Sequence, residues 1–100
     1  MIHGLTIVCT PSGYSPFVRV GWCRRLDGDE WEMIGARVIR RFGRGKSLSE
    51  LANNGPADNT QLLPASSRAE PVHRLHAVRV IPADEASWAK DCPRPEGWMS

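Results

Sequence analysis

Two apolar runs with a glycine between them constrain this chain more than any other feature. Phe17 to Leu26 and Trp31 to Phe42 flank Leu26-Asp27-Gly28-Asp29. In the first run Val18, Val20, Trp22 and Leu26 share one parity, and Arg19, Cys23 and Arg25 share the other. In the second, Ile34, Ala36, Val38 and Phe42 alternate with Arg37 and Arg41. Strict alternation is the mark of a strand with one buried face. Gly28 takes the positive φ that a tight turn requires. The two runs therefore read as an antiparallel hairpin with one apolar face. Residues 2–10 read as a strand before it, and Thr10-Pro11-Ser12-Gly13 breaks that strand.

The hairpin leads into a helix signal. Phe42-Gly43-Arg44-Gly45-Lys46-Ser47 leaves the strand through two glycines. Ser47-Leu48-Ser49-Glu50 is a capping box, in which the serine hydroxyl meets an orphan amide and the glutamate reaches back. Leu48, Leu51 and Ala52 form a short apolar stripe, and Asn53-Asn54-Gly55-Pro56 is a stop. A helix of about two turns follows, near 47–53. Residues 56–71 read as a long connection with an extended piece at Thr60–Leu63, and Val72–Ile81 reads as a further strand. A parity shift within that strand points to a bulge or a wrap over an edge. Asp84–Lys90 makes one helical turn with Asp84 and Glu85 at its positive end. Trp88 is expected to seal that turn against the sheet. The tail from Cys92 (92–100) is proline-rich, and is expected either to float as a flexible tail or to dock through Trp98.

The fold class is thus α+β, mainly β: a small antiparallel sheet or SH3-like barrel with one short helix and a C-terminal helical turn. The chain of 100 residues reads as a single domain. Cys9, Cys23 and Cys92 form no Cys-x-x-Cys pair, so reduced thiols are expected, with Cys9 and Cys23 as small core residues. Leu5–Cys9 is too short for a signal-peptide core and nothing approaches a membrane span, so the expected setting is the cytoplasm, with no membrane partner.

The chemistry on offer is thin. Gly43 to Ser47 resembles the end of a phosphate-binding P-loop, but that motif needs glycine where Arg40 stands. His73 and His76 are three apart in an expected strand and point to opposite faces, and His3 is isolated, so no metal site is expected. No coherent acid, base and nucleophile set is visible, and no cofactor is implied; the expectation is a binding module rather than an enzyme. Net charge is only +2, yet Arg19, Arg24, Arg25, Arg37, Arg40, Arg41, Arg44 and Lys46 crowd the first half. A glycine loop entering a capped helix, ringed by arginines, supplies the parts of an anion site. The candidate ligand-binding residues are Arg40, Arg41, Gly43, Arg44, Gly45, Lys46 and Ser47. The alternative is a helix start satisfied by Ser47 alone, with solvated arginines. Trp22, Trp31 and Phe42 are the candidates for stacking on a ligand or base, although burial in the core is the favoured role for the two tryptophans, since both sit in alternating runs.

The pattern Arg41-Phe42-Gly43, Leu48-x-Glu50-Leu51-Ala52, Asn54-Gly55-Pro56, Thr60-x-Leu62 resembles a family of small phage- and prophage-encoded proteins of unknown function. Val78–Ile81, Asp84-Glu85 and Trp88 continue the resemblance, which covers roughly residues 31–88. It departs at Phe42, where the family has Trp, and at Ser47, where it has Gly. The resemblance implies a phage context inside a bacterial host and brings no catalytic residues. On that footing the leading expectation is an accessory protein that sequesters a phosphate-bearing ligand, such as a cyclic nucleotide signal of host defence. A homo-oligomer would enclose such a ligand best. The alternatives are a nucleic-acid-binding small barrel, with its arginines on phosphates, and a protein-docking inhibitor or structural protein with an apolar patch near Trp88 and Trp98.

Overall fold

A computed structural model describes residues 3–12, 15–26, 28, 30–43, 47–73 and 79–98. The strands are β1 (Gly4–Ser12), β2 (Ser15–Arg25), β3 (Glu30–Arg41), β4 (Gln61–Leu62), β5 (Glu70–His73) and β6 (Arg79–Pro82). The helices are α1 (Leu48–Asn54) and α2 (Glu85–Trp88). The strands make one open antiparallel sheet in the order β4-β3-β2-β1-β6, with β5 also paired to β3. The open sheet settles the choice between sheet and barrel. The β2–β3 hairpin forms as its alternation predicts, closed by Leu26 N–H to Glu30 O at 3.0 Å over Gly28 at φ +56°.

The single buried face does not hold: the sheet is buried on both sides. On one side Ile7, Val18, Val20, Trp22 and Ile39 pack with Leu48, Leu51, Ala52 and Trp88 from the two helices. On the other, Val8, Cys23, Trp31, Met33, Ala36 and Val72 form a second cluster. Two features hid this second face. Arg19 is itself buried and reaches Glu70 of β5 at 2.7 Å, so a charged residue marks an interior position. Gly21 brings the strands together, since a Cβ there would lie 3.0 Å from the Cα of Ala36.

A bulge explains the misread parity on β3. Val20 pairs with Arg37 and Trp22 with Ile34, so two steps on β2 answer three on β3. Gly35 sits at the slip with φ +64°, a conformation that suits a residue without a side chain. The extra residue puts Met33 and Ala36 in one cluster and Ile39 in the other. Leu26, grouped by parity with the core, is 52% exposed.

The expected strand Val72–Ile81 is two strands. β5 lies along β3 and β6 along β1, at opposite sides of the sheet order, with residues 74–78 (His76 among them) outside the described residues. The connection before it is more ordered than its composition indicates. Leu63 N–H reaches Val38 O and Ser66 N–H reaches Ala36 O, so residues 61–73 track the whole length of β3. Pro64 and Pro71 lie in this outer segment, where a missing N–H withholds a donor from further strands.

The helices form where the caps place them. Ser47 Oγ accepts from Glu50 N–H at 3.2 Å, and Gly55 at φ +80° donates its N–H to Leu51 O at 2.9 Å. Asp84 caps α2 by accepting from Ser87 N–H at 3.0 Å. Trp88 is fully buried and donates Nε1–H to Leu51 O at 2.8 Å. The described part of the tail docks: Trp22 Nε1–H reaches Cys92 O at 3.0 Å, and Trp98 meets the Trp22 ring edge-on at 5.2 Å. Trp88 therefore seals the turn against the core as expected, and Trp98 packs half-buried beside it.

Gly55 is the tightest junction. A Cβ there would stand 2.3 Å from Ser87 O, in a backbone conformation that already disfavours side chains. Gly55→Ala should cost ~2 kcal/mol or more, read as a lowered midpoint of chemical denaturation. The thiols predict a pH dependence. Burial pushes Cys23 and Cys92 up from 9.0 to about 11. The unfolded chain therefore loses those protons first, and stability should fall as pH rises from about 9 to about 11. Cys92→Ala should flatten that slope in denaturation curves collected across the range.

Candidate functional site

β3 runs out of the sheet at its most basic point. Ile39 pairs with Leu62 and Arg41 with Gln61, so Arg40 is the extra residue of a second irregularity. Arg40 and Arg41 are exposed. Phe42 is half-buried against the helix-side core, which limits it as a stacking surface. Gly43 follows at φ +102°, hard against the 56–60 segment: a Cβ would come within 2.9 Å of Asn59 Oδ1 and 3.1 Å of Thr60 Oγ1. Thr60 ties that segment down by donating to Phe42 O at 2.8 Å and accepting from Ala57 N–H at 2.9 Å. Arg44, Gly45 and Lys46 lie outside the described residues. Ser47 is committed to capping α1. A helix of seven residues offers little dipole, so the helix start by itself makes a poor anion site.

Trp22 and Trp31 are 2% and 8% exposed. Of the two roles read for them, burial in the core holds for both, and they lie on opposite faces of the sheet.

Beside the Gly43 junction an open groove of about 520 Å³ runs between the 56–62 segment and the end of α2. Arg37, Asp58, Thr60, Ser87, Lys90 and Asp91 are among its lining residues. Arg37 was legible only as one of many strand arginines. In the fold it is held by two backbone carbonyls. Its Nε donates to Leu63 O at 2.8 Å and its Nη1 to Asp91 O at 3.1 Å, with the Asp91 carboxylate 3.9 Å away. A guanidinium fixed by two carbonyls loses little further freedom on gripping an anion. Lys90 is exposed at the same groove on a longer, freer stem. Asp58 and Asp91 set a negative boundary, so an anion there must approach Arg37 and Lys90 and keep clear of the carboxylates. Arg41 sits opposite Gln61, between the groove-lining Thr60 and Leu62 in the pairing order.

Nucleophilic chemistry finds little support in the thiols. Cys9, Cys23 and Cys92 are free and buried, and burial raises all three above the ordinary thiol range. A raised pKa suppresses the thiolate, which is the reactive form. The Ser87 hydroxyl is 2.6 Å from Asp84 Oδ2 and 3.1 Å from Asn53 O, the geometry of a cap that joins α2 to α1. Among the described residues no group of three His, Cys, Asp or Glu side chains could hold a metal ion. Among them, too, no helix is long and apolar enough to cross a membrane.

No family model, curated protein or solved structure matches this chain.

Proposed function

We propose that this chain is a non-catalytic binding module for a small phosphate-bearing ligand, held in the groove between the 56–62 segment and α2. The observation that carries the reading is the Arg37 guanidinium, fixed at the groove by Leu63 O and Asp91 O. Arginine's planar fork matches phosphate oxygens, and fixing it in advance removes much of the entropic cost of gripping them. Lys90 supplies a second, mobile charge, and the exposed Arg40 and Arg41 add positive charge where β3 ends. A groove of about 520 Å³ lies within the usual range for small-molecule sites, roughly 300–1,000 Å³. A nucleotide is of that size. The resemblance to phage-encoded proteins favours a cyclic nucleotide of host defence among such ligands, with sequestration as the purpose. Binding by a second copy across the open side of the groove would enclose the ligand further.

Intact-complex mass spectrometry of protein purified natively from a bacterial host, with absorbance at 260 and 280 nm, tests for a co-purifying nucleotide. Titration with mono-, di- and cyclic nucleotides then tests the site. Lys90→Ala and Arg41→Ala should each weaken binding by roughly tenfold while leaving the melting temperature unchanged, as expected for loss of a charged hydrogen bond. Arg37→Ala should weaken binding and lower the melting temperature together, since it also loses two carbonyl contacts. Affinity unchanged in Lys90→Ala, Arg41→Ala and Arg44→Ala alike would remove the site assignment.

A further inference from the structure

A second arrangement lies at the tail, built from residues that the groove does not use. Glu85, on α2, holds the Arg94 guanidinium through two bonds, Nε to Oε1 at 2.9 Å and Nη2 to Oε2 at 3.0 Å. The same guanidinium carbon lies 5.6 Å from the centre of the Trp22 ring. Trp22 is itself fixed, by its Nε1–H bond to Cys92 O and by the edge-on Trp98. A carboxylate gripping the fork of a planar cation, with an aromatic ring within reach of cation–π attraction, is how proteins recognise an arginine side chain.

We propose that Glu85 and Trp22 form a guanidinium seat, which Arg94 occupies as an intramolecular stand-in and which an arginine of a partner peptide takes by displacing it. Two observations and one general property of ion pairs support exchange. The Arg94 and Glu85 side chains are 46% and 48% exposed, so water and a competitor reach both. Exposed ion pairs bind weakly, and the stand-in is correspondingly easy to lift. Glu85 also lines a separate cavity of about 290 Å³ with His3, Leu5, Thr6, Pro82 and Ala83, which gives the residue next to a partner's arginine a place to go. The seat selects arginine over lysine, because a point ammonium cannot make both bonds to the carboxylate at once.

The test uses the whole chain and a blocked Gly-Arg-Gly tripeptide, with blocked Gly-Lys-Gly as its control, followed by the NMR signal of the Trp22 indole N–H. Removing a stand-in raises apparent affinity by the fraction of seats it filled. Arg94→Ala should therefore bind the arginine peptide several-fold more tightly than the unaltered protein. Adding Glu85→Gln should abolish the gain, and the lysine peptide should bind more weakly throughout. Arg94→Lys keeps a charge at the position and should fall between the two, which guards against a packing effect of the alanine. Equal or weaker binding in Arg94→Ala, no binding in it at all, or binding that survives Glu85→Gln would each overturn the proposal.

Discussion

Two indole N–H groups tie the two helices to each other and the tail to the sheet. Trp88 donates to Leu51 O and Trp22 to Cys92 O, both inside the protein. A buried donor left without an acceptor costs about 1–3 kcal/mol, so each of these bonds fixes a position as well as contributing energy. The first bond sets α2 against the carbonyl end of α1, and with it the wall that carries Lys90 and Asp91. The second carries the chain past α2 and back over β2. The groove, the Glu85–Arg94 pair and the docking of Trp98 all follow from where these two rings are pinned.

Local signals in the sequence were reliable where chemistry acts within a few residues. The Gly28 turn, the Ser47 cap, the Gly55 stop and the Asp84 cap each depend on neighbours in the chain, and each formed. What was hidden required partners far away. Arg19 looked like a solvent-facing residue because its acceptor, Glu70, lies on β5. The Gly35 bulge looked like an ordinary strand glycine, because only pairing with β2 reveals the extra residue. The separation of β5 from β6 left only a parity shift as its trace, since each strand takes its partner from elsewhere in the chain.

The site shows the same division. The arginine-rich exit of β3 is conspicuous in composition, whereas what distinguishes Arg37 is its pair of carbonyl acceptors, which composition does not show. Those acceptors belong to residues 63 and 91, on segments that have no local reason to meet. Likewise Glu85 reads in sequence as a favourable charge at the start of a helix; its link to Arg94, nine residues on, and to the ring of Trp22 belongs to the tertiary fold.

The span of the Trp22–Cys92 bond, 70 residues, bears on synthesis. During translation β1, β2 and β3 emerge first and can pair among themselves, since their contacts are between successive strands. The Trp22 indole then stands at the surface of a half-built sheet, with its acceptor still to be polymerised. The part of the apolar face that Trp88 and Cys92 cover is bare over the same interval. A ribosome paused between residues 42 and 92 would display a finished hairpin with an open hydrophobic side, the form of this chain most exposed to chaperones and to its own neighbours.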